Sequence, residues 1–158
     1  MKKIIFFDGD GTLWYPKDTK WSTQPHDKYN QPNYRDQDFA LHFVPTPNSL
    51  ETLAQLKEKG IKLVLVSTTP HEDSETARQE KIMKATSLGF DAVLDEMLFA
   101  PNHREGKGEV IERVLAERHI PKSDALLVGD LYNWDYKPAK GIGVDALLLS
   151  TTYQKDYA

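Results

Sequence analysis

Ten residues near the start of the chain, Ile4-Ile5-Phe6-Phe7-Asp8-Gly9-Asp10-Gly11-Thr12-Leu13, limit its fold more than any other stretch. Four consecutive apolar residues of β-branched and aromatic type predict a strand buried on both faces, as at the centre of a parallel sheet. Asp8 and Asp10 follow at once, separated by one glycine. Residues two apart in an extended segment point the same way. Both carboxylates are therefore expected to face one crevice at the strand's carboxyl end, where open α/β sheets bind ligands. Gly9 and Gly11 lack a Cβ at that place, which permits unusual φ/ψ and a close backbone approach to a ligand. Two like charges this close repel unless a cation or a proton relieves them. The pattern points to a metal-assisted reaction centre.

Downstream, apolar runs alternate with helical patterns. Residues 14–43 carry seven aromatics among prolines and charged residues, with no strand or helix period, and predict a long loop holding at most a small hairpin. Structureless loops of this length are uncommon and often functional, so the stretch is either a lid over the site or a surface loop pinned by its aromatics. Thr46 as N-cap, Pro47 at the first helical position and Gly60 as terminator predict a helix with Leu50, Leu53, Ala54 and Leu56 inward. Ile61–Val66 reads as a buried strand running into Ser67-Thr68-Thr69-Pro70, and residues 73–88 as a polar helix closed by Gly89. A shorter strand is expected over 92–99, and a helix from Lys107 with Val110, Ile111, Val114 and Leu115 inward. Ala125–Val128 is a further strand, followed at once by Gly129-Asp130. A short helical piece around 138–140 and a last strand over 144–149 precede a polar tail, 150–158.

Strands alternating with helices imply a parallel sheet with helices on both faces. The expected architecture is α/β: a Rossmann-like three-layer sandwich with a mostly parallel sheet of about five strands. Residues 1–158 show no repeat and no shift in composition, and are read as one domain. In such a sheet the carboxyl ends of the strands share one edge. Asp8, Asp10, Ser67, Asp130 and Lys107 would therefore converge. Three carboxylates suit a hard cation such as Mg²⁺. The cation and the lysine together supply the positive counter-charge that phosphoryl transfer requires.

Composition narrows the alternatives. A net charge of −4 without a basic cluster argues against a nucleic-acid partner. The absence of cysteine excludes disulfides, thiolate-zinc sites and cysteine nucleophiles. No apolar run approaches the roughly 20 residues of a membrane span, and a cytoplasmic protein is the default expectation. Of the histidines, His26, His42, His71 and His103 fall in or beside loops. His103 alone cannot close a zinc site, so no structural zinc is expected.

Four segments together resemble the motifs of the haloacid dehalogenase-like (HAD) superfamily of aspartate-nucleophile phosphatases. They are Asp8-Gly9-Asp10-Gly11-Thr12 after an apolar strand, Ser67 at a strand end, Lys107 ahead of the fourth core strand, and Gly129-Asp130 with Asp135 beyond. The resemblance implies Asp8 as nucleophile, forming an aspartyl-phosphate, and Asp10 as general acid and base. It implies Ser67 and Lys107 as groups on the transferring phosphoryl, with Gly9 and Thr68 completing the phosphate-binding set. It implies a Mg²⁺ ion held by Asp8, the Asp10 backbone carbonyl and Asp130. Asp135 would support the metal directly, through water, or by orienting Lys107.

Cap insertions distinguish members of this family, and neither inter-motif gap here has room for one. The chain is therefore similar to capless members, the small magnesium-dependent phosphatases with a D-x-D-x-T-L-W start, which Leu13-Trp14 matches. The implied substrate is a phosphorylated small molecule, sugar or protein, with a homo-oligomer left open. Two other classes stand beside this one: a receiver-like phospho-acceptor domain and a non-catalytic phosphate-binding module. The first places its acceptor on a later strand, without an acid two residues beyond. Dehalogenation fits less well, because carbon–halogen cleavage needs no leaving-group acid such as Asp10.

Overall fold

The structure is a computed structural model that describes residues 1–19, 25, 39–69 and 75–149. In chain order its elements are β1 (Ile4–Phe7), β2 (Trp14–Pro16), α1 (Phe39–His42), β3 (Phe43–Pro45), α2 (Ser49–Glu58), β4 (Lys62–Thr68), α3 (Glu75–Ser87), β5 (Glu96–Ala100), α4 (Gly106–Glu117), β6 (Ala125–Gly129), α5 (Lys137–Gly141) and β7 (Asp145–Leu148). Five strands form one parallel sheet in the order β5-β4-β1-β6-β7. The strand opening the chain is thus the central one, with Phe7 paired to Leu65 on one side and to Val128 on the other. β2 and β3 make a small antiparallel hairpin that brackets the aromatic stretch, whose middle lies outside the described residues.

Side-chain alternation along β1 explains why its apolar run is continuous. Ile5 and Phe7 face one core with Leu53 of α2, Ala85 of α3, Leu88 just beyond it, and Phe90. Ile4 and Phe6 face another with Val110, Ile111, Val114 and Leu115 of α4 and Ala139 of α5. Each such side chain contributes about 1.5–3 kcal/mol by leaving water, and β1 collects that on both faces. The result is the expected three-layer sandwich.

Several boundaries differ from the sequence-based expectation. α2 begins at Ser49 after a left-handed Asn48, not at Pro47. The Thr46 hydroxyl is engaged elsewhere: it donates to the Thr12 carbonyl at 2.7 Å, while the Thr46 N–H donates to the Leu13 carbonyl at 2.8 Å. That pair ties the hairpin base to the loop after β1. β4 continues through Thr68 because Ser67 and Thr68 pair with Phe99 and Ala100 of β5. β5 starts only at Glu96, since Phe90–Ala92 forms a 3₁₀ turn and the Asp95 carboxylate accepts the Leu63 N–H at 2.9 Å. The expected start of the polar helix at residue 73 and the tail 150–158 lie outside the described residues.

The strand order fixes where a ligand binds. The chain leaving β1 runs to β4 on one side, whereas the chain leaving β6 runs to β7 on the other. Connections that diverge from neighbouring strands open a crevice between their carboxyl ends. Asp8 follows β1 directly and Asp130 follows β6 directly.

Candidate active site

Asp8 is held at the edge of the sheet by its own backbone, whose N–H donates to the Val128 carbonyl at 2.9 Å. The chain then turns tightly. The Gly9 carbonyl accepts the N–H groups of Thr12 (3.1 Å) and Leu13 (2.8 Å), and Gly11 adopts φ 84° to complete the turn. This turn places the Thr12 hydroxyl, buried, 3.3 Å from Asp8 Oδ2 and 3.4 Å from Asp130 Oδ1. A hydroxyl has one proton, so it donates to one of these carboxylates at a time.

Asp135 joins them from a single π-helical turn, Tyr132–Tyr136. Its Oδ2 accepts the N–H groups of Asp130 (3.2 Å) and Leu131 (3.0 Å), folding the loop after β6 onto itself. Gly129 makes this closure possible, because a Cβ there would lie 2.4 Å from the Asp135 side chain. A glycine preceding the first acid is therefore the sequence trace of the second acid's return. Lys107, in the first turn of α4, reaches into the cluster and donates to Asp8 Oδ1 and Asp135 Oδ1, both at 2.5 Å.

Asp8, Asp130 and Asp135 are all buried and offer oxygen atoms within 4.8 Å of one another, the one such group able to hold a metal ion among the described residues. Burial pulls the Lys107 ammonium down, but Asp135 and Asp8 outweigh it and hold the group above its ordinary value. Burial pushes the Asp135 carboxyl up, to about 6, against the pull of Lys107, and the Asp8 charge adds to the rise. One ammonium leaves three buried carboxylates with excess negative charge. An all-oxygen, acid-rich donor set of this kind fits a hard divalent cation.

The Asp10 carboxylate is not one of the three in this cluster. β1 ends at Phe7, and the chain turns through Gly11 just beyond Asp10. Asp10 Oδ1 instead accepts the Trp14 indole N–H at 2.6 Å, and Lys81 and Lys84 of α3 stand 3.5 and 3.8 Å from its oxygens. Burial pushes this carboxyl up, yet Lys84, Lys81 and the indole together hold it well below the usual carboxylate range. Burial drives the Lys84 ammonium down to about 7, against the attraction of Asp10.

Ser67, buried, and Thr68 end β4 at the same sheet edge. Gly9 serves packing, since a Cβ there would lie 2.6 Å from the Trp14 ring. Lys81, Lys84 and the Trp14 donor escaped the sequence reading, although a signal was present. Lys81, Lys84, Ala85 and Leu88 fall at i, i+3, i+4 and i+7, the spacing of a buried helix face. Of the histidines, His103 is exposed beside Glu105 and Glu109, whereas His26 and His71 lie outside the described residues.

The sequence model for the haloacid dehalogenase-like hydrolase family matches residues 2–149. The chain belongs to that family. It is similar to the glyceraldehyde 3-phosphate phosphatase of Methanocaldococcus jannaschii, with 28% identity over 115 residues, 71% of this chain and 47% of that protein. The chain thus spans about half the length of this curated relative. Among solved structures, a haloacid dehalogenase-like family hydrolase from Xanthomonas campestris superposes with TM-score 0.66 at 13% identity, over 95% of this chain and 82% of the other. A predicted phosphoglycolate phosphatase from Haemophilus somnus gives 0.65 at 19% identity, over 95% and 86%. These two likenesses establish the fold alone. No helix among the described residues is long and apolar enough to cross a membrane.

Proposed function

We propose that the chain is a Mg²⁺-dependent phosphomonoester hydrolase that works through an aspartyl-phosphate on Asp8. The observation that carries this reading is the Asp8 carboxylate fixed between the Lys107 ammonium and the Thr12 hydroxyl, beside Asp130 and Asp135. Family membership and the phosphatase relative support it.

In the first half-reaction an Asp8 carboxylate oxygen attacks phosphorus and the bond to the ester oxygen breaks. Asp10 gives its proton to the departing alkoxide. In the second, water attacks the phosphorus of the acyl phosphate while Asp10 takes the water's proton. The bond to Asp8 then breaks, and inorganic phosphate leaves. Lys107 and Ser67 hold phosphoryl oxygens, with Gly9 and Thr68 lining the same place. Mg²⁺, held by Asp8, Asp130 and the Asp10 carbonyl, supplies neutralisation of the charge on the transferring group. The Asp135–Lys107 hydrogen bond favours the orienting role for Asp135 over direct ligation. Residues 1–158 act in this reading as one capless cytoplasmic domain, with 14–43 either a lid over the substrate or a surface loop.

Phosphate release across a panel of phosphomonoesters tests the proposal. Wild type with Mg²⁺ is expected to turn over at least one ester, and excess chelator to stop it. Chelator-insensitive release would remove the metal from the mechanism. A single stable phosphoryl group per chain without turnover would move the protein to the receiver-like class.

A further inference from the structure

Trp14 makes the one close bond to the Asp10 carboxylate among the described residues. Its indole N–H donates to Oδ1 at 2.6 Å, whereas Lys84 stands 3.8 Å from Oδ1 and Lys81 3.5 Å from Oδ2. The two residues belong to one turn. The Trp14 carbonyl accepts the Gly11 N–H at 2.9 Å, and Asp10 and Trp14 pair as an isolated bridge. The indole is confined by its neighbours: a Cβ on Gly9 would lie 2.6 Å from it, the Phe90 ring stands 5.6 Å away, and the residue is 2% exposed. The Asp10 side chain, by contrast, keeps 18% of its surface exposed. A buried, closely packed donor thus grips a carboxylate that still reaches solvent.

An indole nitrogen can only donate. The oxygen it holds must therefore accept, in the charged carboxylate and in the neutral acid alike, since a neutral carboxyl keeps one acceptor oxygen. A proton carried by Asp10 then sits on Oδ2. We propose that Trp14 is the positioning residue of this acid–base group, holding Oδ1 so that Oδ2 is the atom through which protons pass. The inference rests on the phosphatase reading, in which Asp10 serves both half-reactions. In the first, the Oδ2–H bond breaks as the alcohol O–H bond forms. In the second, a water O–H bond breaks as Oδ2–H forms again, so Asp10 ends each turnover as it began. The hydrogen bond to Trp14 survives both steps, because it never involves the proton that moves.

Leaving groups separate positioning from packing. A departing alkoxide needs a proton, whereas 4-nitrophenolate leaves without one. Because kcat/KM reads the steps up to phosphorylation of Asp8, Trp14→Phe is expected to lower it about a hundredfold for alkyl phosphates, the cost of a misplaced catalytic group. For 4-nitrophenyl phosphate kcat/KM should stay near wild type. Attack by water on the acyl phosphate still needs Asp10 as base, so with that ester kcat should fall and KM fall in proportion. Trp14→3-benzothienylalanine keeps both fused rings and lacks only the N–H. It repeats the comparison without opening a cavity, and it carries the test alone where the phenylalanine variant does not fold. In an Asp10→Asn background, loss of the N–H should cost nothing further. Equal losses with both ester types, unchanged alkyl turnover in the isostere, or a further loss added to Asp10→Asn would overturn the positioning role and leave the phosphatase reading standing. Wild type that hydrolyses only 4-nitrophenyl phosphate has no working acid to position, which also overturns it. Wild type that hydrolyses no ester with Mg²⁺ would overturn the phosphatase reading, and this inference with it.

Discussion

The two sides of the loop after β1 hold opposite charge imbalances. On one side three buried carboxylates share one ammonium, Lys107, through two bonds of 2.5 Å. On the other, one carboxylate faces two ammonium groups at 3.5 and 3.8 Å and bonds closely only to the neutral Trp14 indole. The first side is short of positive charge, which suits a metal ion. The second gathers two lysines around a single carboxylate. Asp8 and Asp10 belong to the same five-residue motif, yet their environments pull them toward different tasks.

Asp8→Asn should have the largest effect. It keeps the shape of the acidic side but removes the attacking charge, so kcat is expected to fall by roughly four orders of magnitude or more while the thermal midpoint holds or rises. Steady-state phosphate release and a melting curve measure both, and retention of near-wild-type turnover would dissolve the distinction between the two aspartates. Lys107→Met comes next. Without its ammonium the acidic side keeps uncompensated buried carboxylates, and the loss should be about 3–5 kcal/mol in urea unfolding. Millimolar Mg²⁺ is expected to restore part of that loss, and equal loss with and without Mg²⁺ would count against a metal place there.

A smaller effect appears with pH in the metal-free protein. Burial raises the folded Asp135 value to about 6 from 3.8. Between those values the native state holds the extra proton, so stability should fall as pH rises from about 4 to 6, by about 1–3 kcal/mol. The neighbouring shifts lie outside this window. The lowered Asp10 acts below its ordinary 3.8. Lys84 acts between about 7 and 10.5. Urea midpoints at pH 4, 5 and 6 should slope downward for wild type and lie flat for Asp135→Asn. Trp14→Phe sharpens the basic side instead. It removes the donor to Asp10 and should cost about 1.5 kcal/mol, the worth of a hydrogen bond to a charged group. Its double-mutant coupling with Lys84→Met should be measurable, whereas coupling with Lys107→Met should be near zero.

The acidic side was legible in the sequence because each of its parts follows a strand or a helix start. Continuous apolar runs marked β1 and β6, and Asp8 and Asp130 stand directly after them. Gly129 reads as a turn residue, whereas its spatial reason is the return of Asp135. The basic side was less legible. Lys81 and Lys84 lie in a helix whose composition is polar, and only their period shared with Ala85 and Leu88 shows that they face inward. The direction of Asp10 depends on a turn, and strand alternation stops applying where β1 ends. Thr46 has the residue type of a cap, yet its hydroxyl partner, the Thr12 carbonyl, is 34 residues away in the chain. Local patterns predict the elements, and long-range hydrogen bonds set their ends.

The central claim is that Asp8 receives the phosphoryl group. Rapid acid quench of the enzyme with a turned-over phosphomonoester and Mg²⁺, followed by peptide mass spectrometry, tests it directly. The account predicts one added phosphoryl group on the peptide that contains Asp8, absent in Asp8→Asn and absent when the metal is chelated. A phosphoryl group on any other residue, or turnover at full rate with the Asp8 peptide unmodified throughout, would contradict it.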